Sequence, residues 1–222
     1  MLTLTDVFTK MMNFKNVFRW HLPFLLLLGV FSVRAAAADT LLILGDSLSA
    51  GYRIPLERAW PSLLADQWRA SPGAPDVVNG SISGDTAAQG LARLPALLKQ
   101  HRPRWVLIEL GANDGLRGFA PQDIQQTLSK IITLVKQADA QPLLMQIRLP
   151  PNYGRRYGDA FYAIYPALAA QYKVPLLPFF MEQVAIKPQW MQEDGLHPNR
   201  DAQPFIAGWM AERLNPLVNH AS

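Results

Sequence analysis

Thr40-Leu-Leu-Ile-Leu44, followed at once by Gly45-Asp46-Ser47-Leu48-Ser49, is the stretch on which the fold turns. Leu41 to Leu44 put apolar side chains on both faces of an extended chain, and the run stops at a glycine; a strand of this kind is buried on both sides, as in parallel sheets. Runs of the same character recur at Val77-Val78, Trp105-Val-Leu-Ile108, Pro142-Leu-Leu-Met145 and Val174-Pro-Leu-Leu177, each about one βαβ unit from the next. Helical spacing fills the intervals. Trp60 to Trp68 carries Leu63, Leu64 and Trp68; Thr86 to Gln100 carries Leu91, Leu94, Leu97 and Leu98 behind Asp85 as N-cap. Ile124 to Ala138 follows Pro121 with Ile124, Leu128, Ile131, Leu134 and Val135, and Phe161 to Tyr172 and Phe205 to Leu217 complete the set. Alternation of this kind predicts an α/β fold: a three-layer α/β/α sandwich around a five-stranded parallel sheet.

Composition agrees with one domain of that size. The chain has 222 residues, 50% hydrophobic and 17% charged, which supplies a core and excludes a disordered polymer. It has no cysteine, so disulfides, thiolate metal sites and a cysteine nucleophile are excluded, and covalent chemistry must come from oxygen or nitrogen. The formal charge of +4 is concentrated at the start, where Lys10, Lys15, Arg19 and Arg34 oppose Asp6 alone, which removes the main support for a nucleic-acid partner. Those residues flank an apolar run from Leu22 to Val33 and precede Ala35 to Ala38, the layout of an export signal with cleavage after Ala37. The run is shorter than the roughly 20 residues of a membrane span. The expectation is a signal peptide over 1–37, a single domain over 38–222, no stable membrane span after cleavage, and residence in the periplasm.

In an open parallel sheet, ligands bind beyond the carboxyl ends of the strands. The segments there are Gly45 to Ser49, Asn79 to Asp85, Gly111 to Asp114 and Arg148 to Gly154, with Asp194-Gly-Leu-His-Pro198 preceding the last helix. Ser47 is a hydroxyl at a strand end, a poor nucleophile unless a base takes its proton. Of the histidines after the signal, His101 sits among Lys99, Arg102 and Arg104 at a helix end and His220 in the tail. His197 stands three residues after Asp194 with Gly195 between, a spacing that brings the carboxylate to Nδ1 and leaves Nε2 for the serine. Gly84 offers a backbone amide and Asn113 a side-chain amide, the donors an oxyanion needs. A metal site built from Asp46, Asp114, Asp194 and His197 is the rival chemistry, thin with a single histidine.

Ser47, Gly84, Asn113 and His197 lie in four segments that, in order, resemble the sequence blocks of the SGNH or GDSL hydrolases. The resemblance covers nearly all of the chain after the signal. It implies a flavodoxin-like sheet, a Ser47-Asp194-His197 triad, an oxyanion hole of Ser47, Gly84 and Asn113, no metal and no cofactor. The implied reaction is hydrolysis of acyl thioesters and oxyesters, including lysophospholipids; the alternative within the same triad is a short-chain carbohydrate acetyl esterase. The Gly-x-Ser-x-Gly elbow of α/β-hydrolases is absent, because Ser49 occupies the second glycine position. Leu149 and Pro150, with Leu116 and Phe119 on a second loop beside Gly115 and Gly118, are expected to bind the acyl chain, that second loop being expected to move when the chain binds. Arg155 and Arg156 read as solvated charges. The resemblance further implies small acyl compounds as substrates, and the chain is expected to act as a monomer.

Overall fold

A computed structural model describes residues 39–218. The expected signal peptide and His220 lie outside the described residues. Five strands, β1 (Thr40–Gly45), β2 (Asp76–Asn79), β3 (Trp105–Glu109), β4 (Gln141–Met145) and β5 (Leu176–Leu177), form one sheet in the order β2-β1-β3-β4-β5. All neighbours are parallel, and this is the flavodoxin-like order. The central strands β1 and β3 are the most apolar and the most buried, and the edge strand β2 is only half covered.

The order reverses at β1, which pairs with β2 on one side and β3 on the other. Gly45 stands level with Glu109, so the chain leaves both strands at the same height. The loops after β1 and β3 are therefore neighbours at the switch point, where such sheets bind ligands. This is the step that joins distant segments of sequence.

The helices are α1 (Ser47–Ala50), α2 (Trp60–Arg69), α3 (Ala87–His101), α4 (Ala112–Leu116), α5 (Pro121–Gln137), α6 (Arg155–Tyr162), α7 (Ile164–Tyr172), α8 (Met181–Val184) and α9 (Gln203–Val218). Among the described residues no helix is long and apolar enough to cross a membrane. Buried stripes follow the expected period in α2 (Trp60, Leu64, Trp68) and α5 (Ile124, Leu128, Ile131, Ile132, Val135), whereas Leu134 is only partly covered. In α3 the buried line is Ala87, Gly90 and Leu94; Gly90 lies against Leu110, where a Cβ would stand 2.3 Å from a leucine methyl.

Two local expectations are corrected. The N-cap of α3 is Thr86, not Asp85: Thr86 accepts from the Gln89 N–H and Gln89 returns a bond to the Thr86 N–H, a capping box that leaves Asp85 free for another partner. The single helix expected from Phe161 to Tyr172 is two helices, starting earlier at Arg155 and interrupted at Ala163. Pro166 has no N–H for the Tyr162 carbonyl four residues before it, so that carbonyl accepts from Gln146 Nε2 at 3.1 Å instead. Arg155 and Arg156 consequently sit in the first turn of α6 rather than in a loop, with Arg155 94% exposed.

Candidate active site

Ser47 opens α1 directly after β1. Asp46 caps that helix by accepting from the Leu48 N–H at 3.1 Å, and Gly51 closes it in the left-handed region at φ 75°. A four-residue helix between these stops holds the serine at the sheet's carboxyl edge with its own N–H unused within the helix. His197 arrives from the far end of the chain. Its Nε2 is 2.9 Å from Ser47 Oγ and its Nδ1 is 2.8 Å from Asp194 Oδ2. Gly195 turns the chain at φ 66°, so Asp194 Oδ1 also accepts from the Leu196 and His197 N–H groups at 2.9 and 3.0 Å. Partial burial opposes ionisation of Asp194, but those backbone donors and the imidazole outweigh it and hold the carboxyl down at about 2. The imidazole lies against the Tyr52 ring, with centroids 4.5 Å apart, a support that sequence reasoning missed.

Gly84 is the third residue of a turn over 82–85, closed by the Asp85 N–H on the Ile82 carbonyl, and has φ 84°. Nothing stands within 4 Å of a hypothetical Cβ there, so conformation and not space requires glycine. Its N–H has no acceptor among the described residues. Asn113, in α4 after β3, directs Nδ2 to the Asp85 carbonyl at 3.0 Å and to Asp46 Oδ2 at 3.1 Å. Both amide protons thus face the loops that carry Ser47 and Gly84.

Beneath the serine lies a group of acids. Burial first, then repulsion from Asp114 and Asp85, pushes the Asp46 carboxyl up; burial and repulsion from Asp46 push Glu109 up, and burial also raises Asp114. Ser49 donates to Glu109 at 2.7 Å, and Asp114 accepts from the Ala87 N–H at 2.8 Å. The metal reading of Asp46, Asp114, Asp194 and His197 finds these residues in separate roles: Asp46 on Leu48 and Asn113, Asp114 on helix α3, Asp194 on the imidazole. Among the described residues no three histidine or carboxylate groups gather as ligands.

A groove of about 490 Å³ opens beside Ser47 and His197. Leu149, Pro150 and Leu116 line it, together with Leu48, Phe179, Met181, Ala185, Met191 and Leu196. Phe119 is placed differently from expectation: it is 44% exposed and is not part of the groove wall. Its carbonyl and that of Leu116 accept from the Tyr157 and Tyr153 hydroxyls, at 2.7 and 3.1 Å, so the loop is held by its backbone with the Phe119 ring outward. Phe179 to Ala185 escaped the sequence reading although they follow the fifth apolar run, where the strand-end rule directs attention. Arg148 borders the same groove, paired with Glu182 at 2.7 Å.

The serine hydroxyl, imidazole and carboxylate in line, two backbone N–H groups without an acceptor among the described residues, and an apolar groove at the switch point have the geometry of a serine acyl hydrolase site. The profile of the GDSL-like Lipase/Acylhydrolase family matches residues 43–203, and the chain belongs to that family. It is 71% identical to "Thioesterase 1/protease 1/lysophospholipase L1" of Escherichia coli (strain K12) over 212 residues, covering 96% of this chain and 100% of that one. It is 57% identical to "Arylesterase" of Vibrio mimicus over 190 residues, 86% of this chain and 95% of the relative. Among solved structures, the psychrotrophic esterase EstA from Pseudoalteromonas sp., inhibited by monoethylphosphonate, superposes with a TM-score of 0.80 at 43% identity, covering 82% of this chain and 100% of that one.

Proposed function

We propose that the chain hydrolyses acyl thioesters and oxyesters, acyl-CoA, lysophospholipid and aryl esters among them, through an acyl-enzyme on Ser47. The observation that carries this is the unbroken chain from Asp194 through His197 to Ser47, with links of 2.8 and 2.9 Å, at the mouth of an apolar groove.

In this reading His197 Nε2 takes the proton as Ser47 Oγ attacks the acyl carbonyl, and Asp194 stabilises the imidazolium that forms. The oxyanion is received by the Ser47 and Gly84 N–H groups and by Asn113 Nδ2, which exchanges one of its acceptors for the new charge. The imidazolium then protonates the departing thiolate or alkoxide. Water, deprotonated by the same imidazole, releases the acid and restores the serine. A thiolate is a stable leaving anion and an amine is not, so amide cleavage is marginal. No step needs a cofactor.

An acetyl group leaves most of the groove empty, which favours longer acyl chains over the carbohydrate acetyl esterase reading. Leu149, Pro150 and Leu116, with Phe179, Met181 and Ala185, are the surfaces for that chain. All site groups come from one chain, in keeping with a monomer. The basic leader over 1–37 supports export to the periplasm with removal after Ala37. A profile of the mature protein over acyl-CoA, lysophosphatidylcholine and p-nitrophenyl esters of rising chain length, with and without EDTA, tests the reading. Turnover of thioesters and long esters, unchanged by EDTA, is expected. Activity on acetyl esters only, or loss on chelation restored by a divalent ion, overturns it.

A further inference from the structure

Arg93 points from α3 into the space behind the site, with its side chain 19% exposed. Its Nε donates to Asp85 Oδ2 at 2.7 Å, one terminal nitrogen to the Gly80 carbonyl and the other to the Gly45 carbonyl at 3.2 Å. These acceptors lie on the segments that deliver the oxyanion donors. Gly45 is two residues before Ser47, and its carbonyl also accepts from the Ile82 N–H at 3.1 Å. Gly80 begins the loop that ends at Gly84. Asp85 follows Gly84, and its carbonyl accepts from Asn113.

We propose that Arg93 is a positioning residue that sets the spacing of the Ser47, Gly84 and Asn113 donors; the proposal rests on the oxyanion hole described above. The planar guanidinium presents donors in a fixed fork, so three acceptors bound at once are held at fixed separations, whereas a lysine ammonium cannot span them. The helix that carries Arg93 is itself registered to the third donor. The Ala87 N–H at its start is bound to Asp114, next to Asn113, and Gly90 packs on Leu110. Gly84 needs such support because its own N–H must stay unpaired to receive substrate. Arg117 donates an exposed bond to the Gly84 carbonyl itself at 3.0 Å.

A positioning role and a purely structural salt bridge differ in what they do to folded enzyme. A misplaced donor weakens the tetrahedral state without changing ground-state binding in the groove, so the loss falls on kcat. The experiment measures kcat and KM on p-nitrophenyl butyrate for Arg93→Met, Arg93→Lys, Asp85→Asn and Asn113→Ala, below the melting point of each variant by circular dichroism. Arg93→Met is expected to lose roughly 10- to 100-fold in kcat, less than removal of a donor outright, with KM within about twofold. Arg93→Lys keeps the charge but is expected to recover only part of the loss. Asp85→Asn keeps the carbonyl that Asn113 uses and is expected to show the same split even if the Arg93 variants do not fold. The proposal is overturned if folded Arg93→Met, or Asp85→Asn in its place, keeps kcat within twofold while Asn113→Ala is impaired, if lysine restores full turnover, or if the loss falls on KM. Undiminished activity in Asn113→Ala would instead remove the oxyanion reading on which the proposal stands.

Discussion

Leu149→Ala separates the groove from the catalytic machinery. Leu149 is 8% exposed and lines the groove, and its two terminal methyls lie 2.7 and 2.9 Å from where a Cβ on Gly115 would stand. Its side chain thus lies between the α4 backbone and the open groove. Alanine withdraws three carbons, and at about 0.8 kcal/mol per buried methylene the upper limit is about 2.4 kcal/mol. Part of the leucine faces Gly115 and not substrate, so about half of that, near a tenfold effect, is expected on kcat/KM for long chains. The assay compares p-nitrophenyl acetate, butyrate and decanoate. Acetate uses the same triad and oxyanion donors without reaching Leu149, and its kcat/KM is expected to stay within about twofold of wild type, because the chemical groups are untouched. The fold loses about 2 to 5 kcal/mol, as for other buried leucine truncations, so rates are taken well below the lowered melting temperature. An equal loss on acetate and decanoate would refute the channel role and point to a disturbed loop.

Asn113→Ala is expected to lower kcat by roughly 10²- to 10³-fold with little change in KM; a change confined to KM would make it a binding residue. Asp194, held at about 2 when folded against 3.8 as the ordinary value, binds fewer protons folded than unfolded. It therefore stabilises the fold above about pH 4, and that contribution is lost as pH falls through about 2, so Asp194→Asn should flatten the acid limb of the melting curve. Glu109 has the opposite sign: raised by burial, it binds more protons folded than unfolded, and its cost to stability grows as pH rises above its ordinary value of 4.5. Glu109→Gln is expected to raise the melting temperature more at pH 8 than at pH 5, and an equal shift at both would contradict a raised Glu109.

Much of this was legible because parallel strands carry their signature on both faces. The apolar runs located β1, β3 and β4 within a residue or two, and the strand-end rule led to Ser47, Gly84 and Asn113. Asp194 and His197 were legible because three residues with a glycine between them fix their geometry locally. What escaped depends on long-range placement. The break at Ala163 comes from a proline whose missing bond is taken up by Gln146, from another strand end. Asp85 read as a cap because an acid before a helix usually is one, whereas Arg93 claims it. Phe119 read as an acyl contact from its loop, but Tyr157 holds that loop by the backbone and leaves the ring outside. The wall of Phe179, Met181 and Ala185, and Tyr52 under His197, are set by packing that no local pattern records.

The central claim is that Ser47 attacks the acyl carbonyl with His197 as its base. Incubation of the wild-type protein with an aryl alkylphosphonate, followed by peptide mass spectrometry, tests it most directly. The account predicts one adduct per chain, on the peptide that contains Ser47, with stoichiometric loss of esterase activity, no adduct in Ser47→Ala, and greatly slowed labelling in His197→Ala. Labelling at another residue, or ester hydrolysis by Ser47→Ala at more than a small fraction of the wild-type rate, would contradict it.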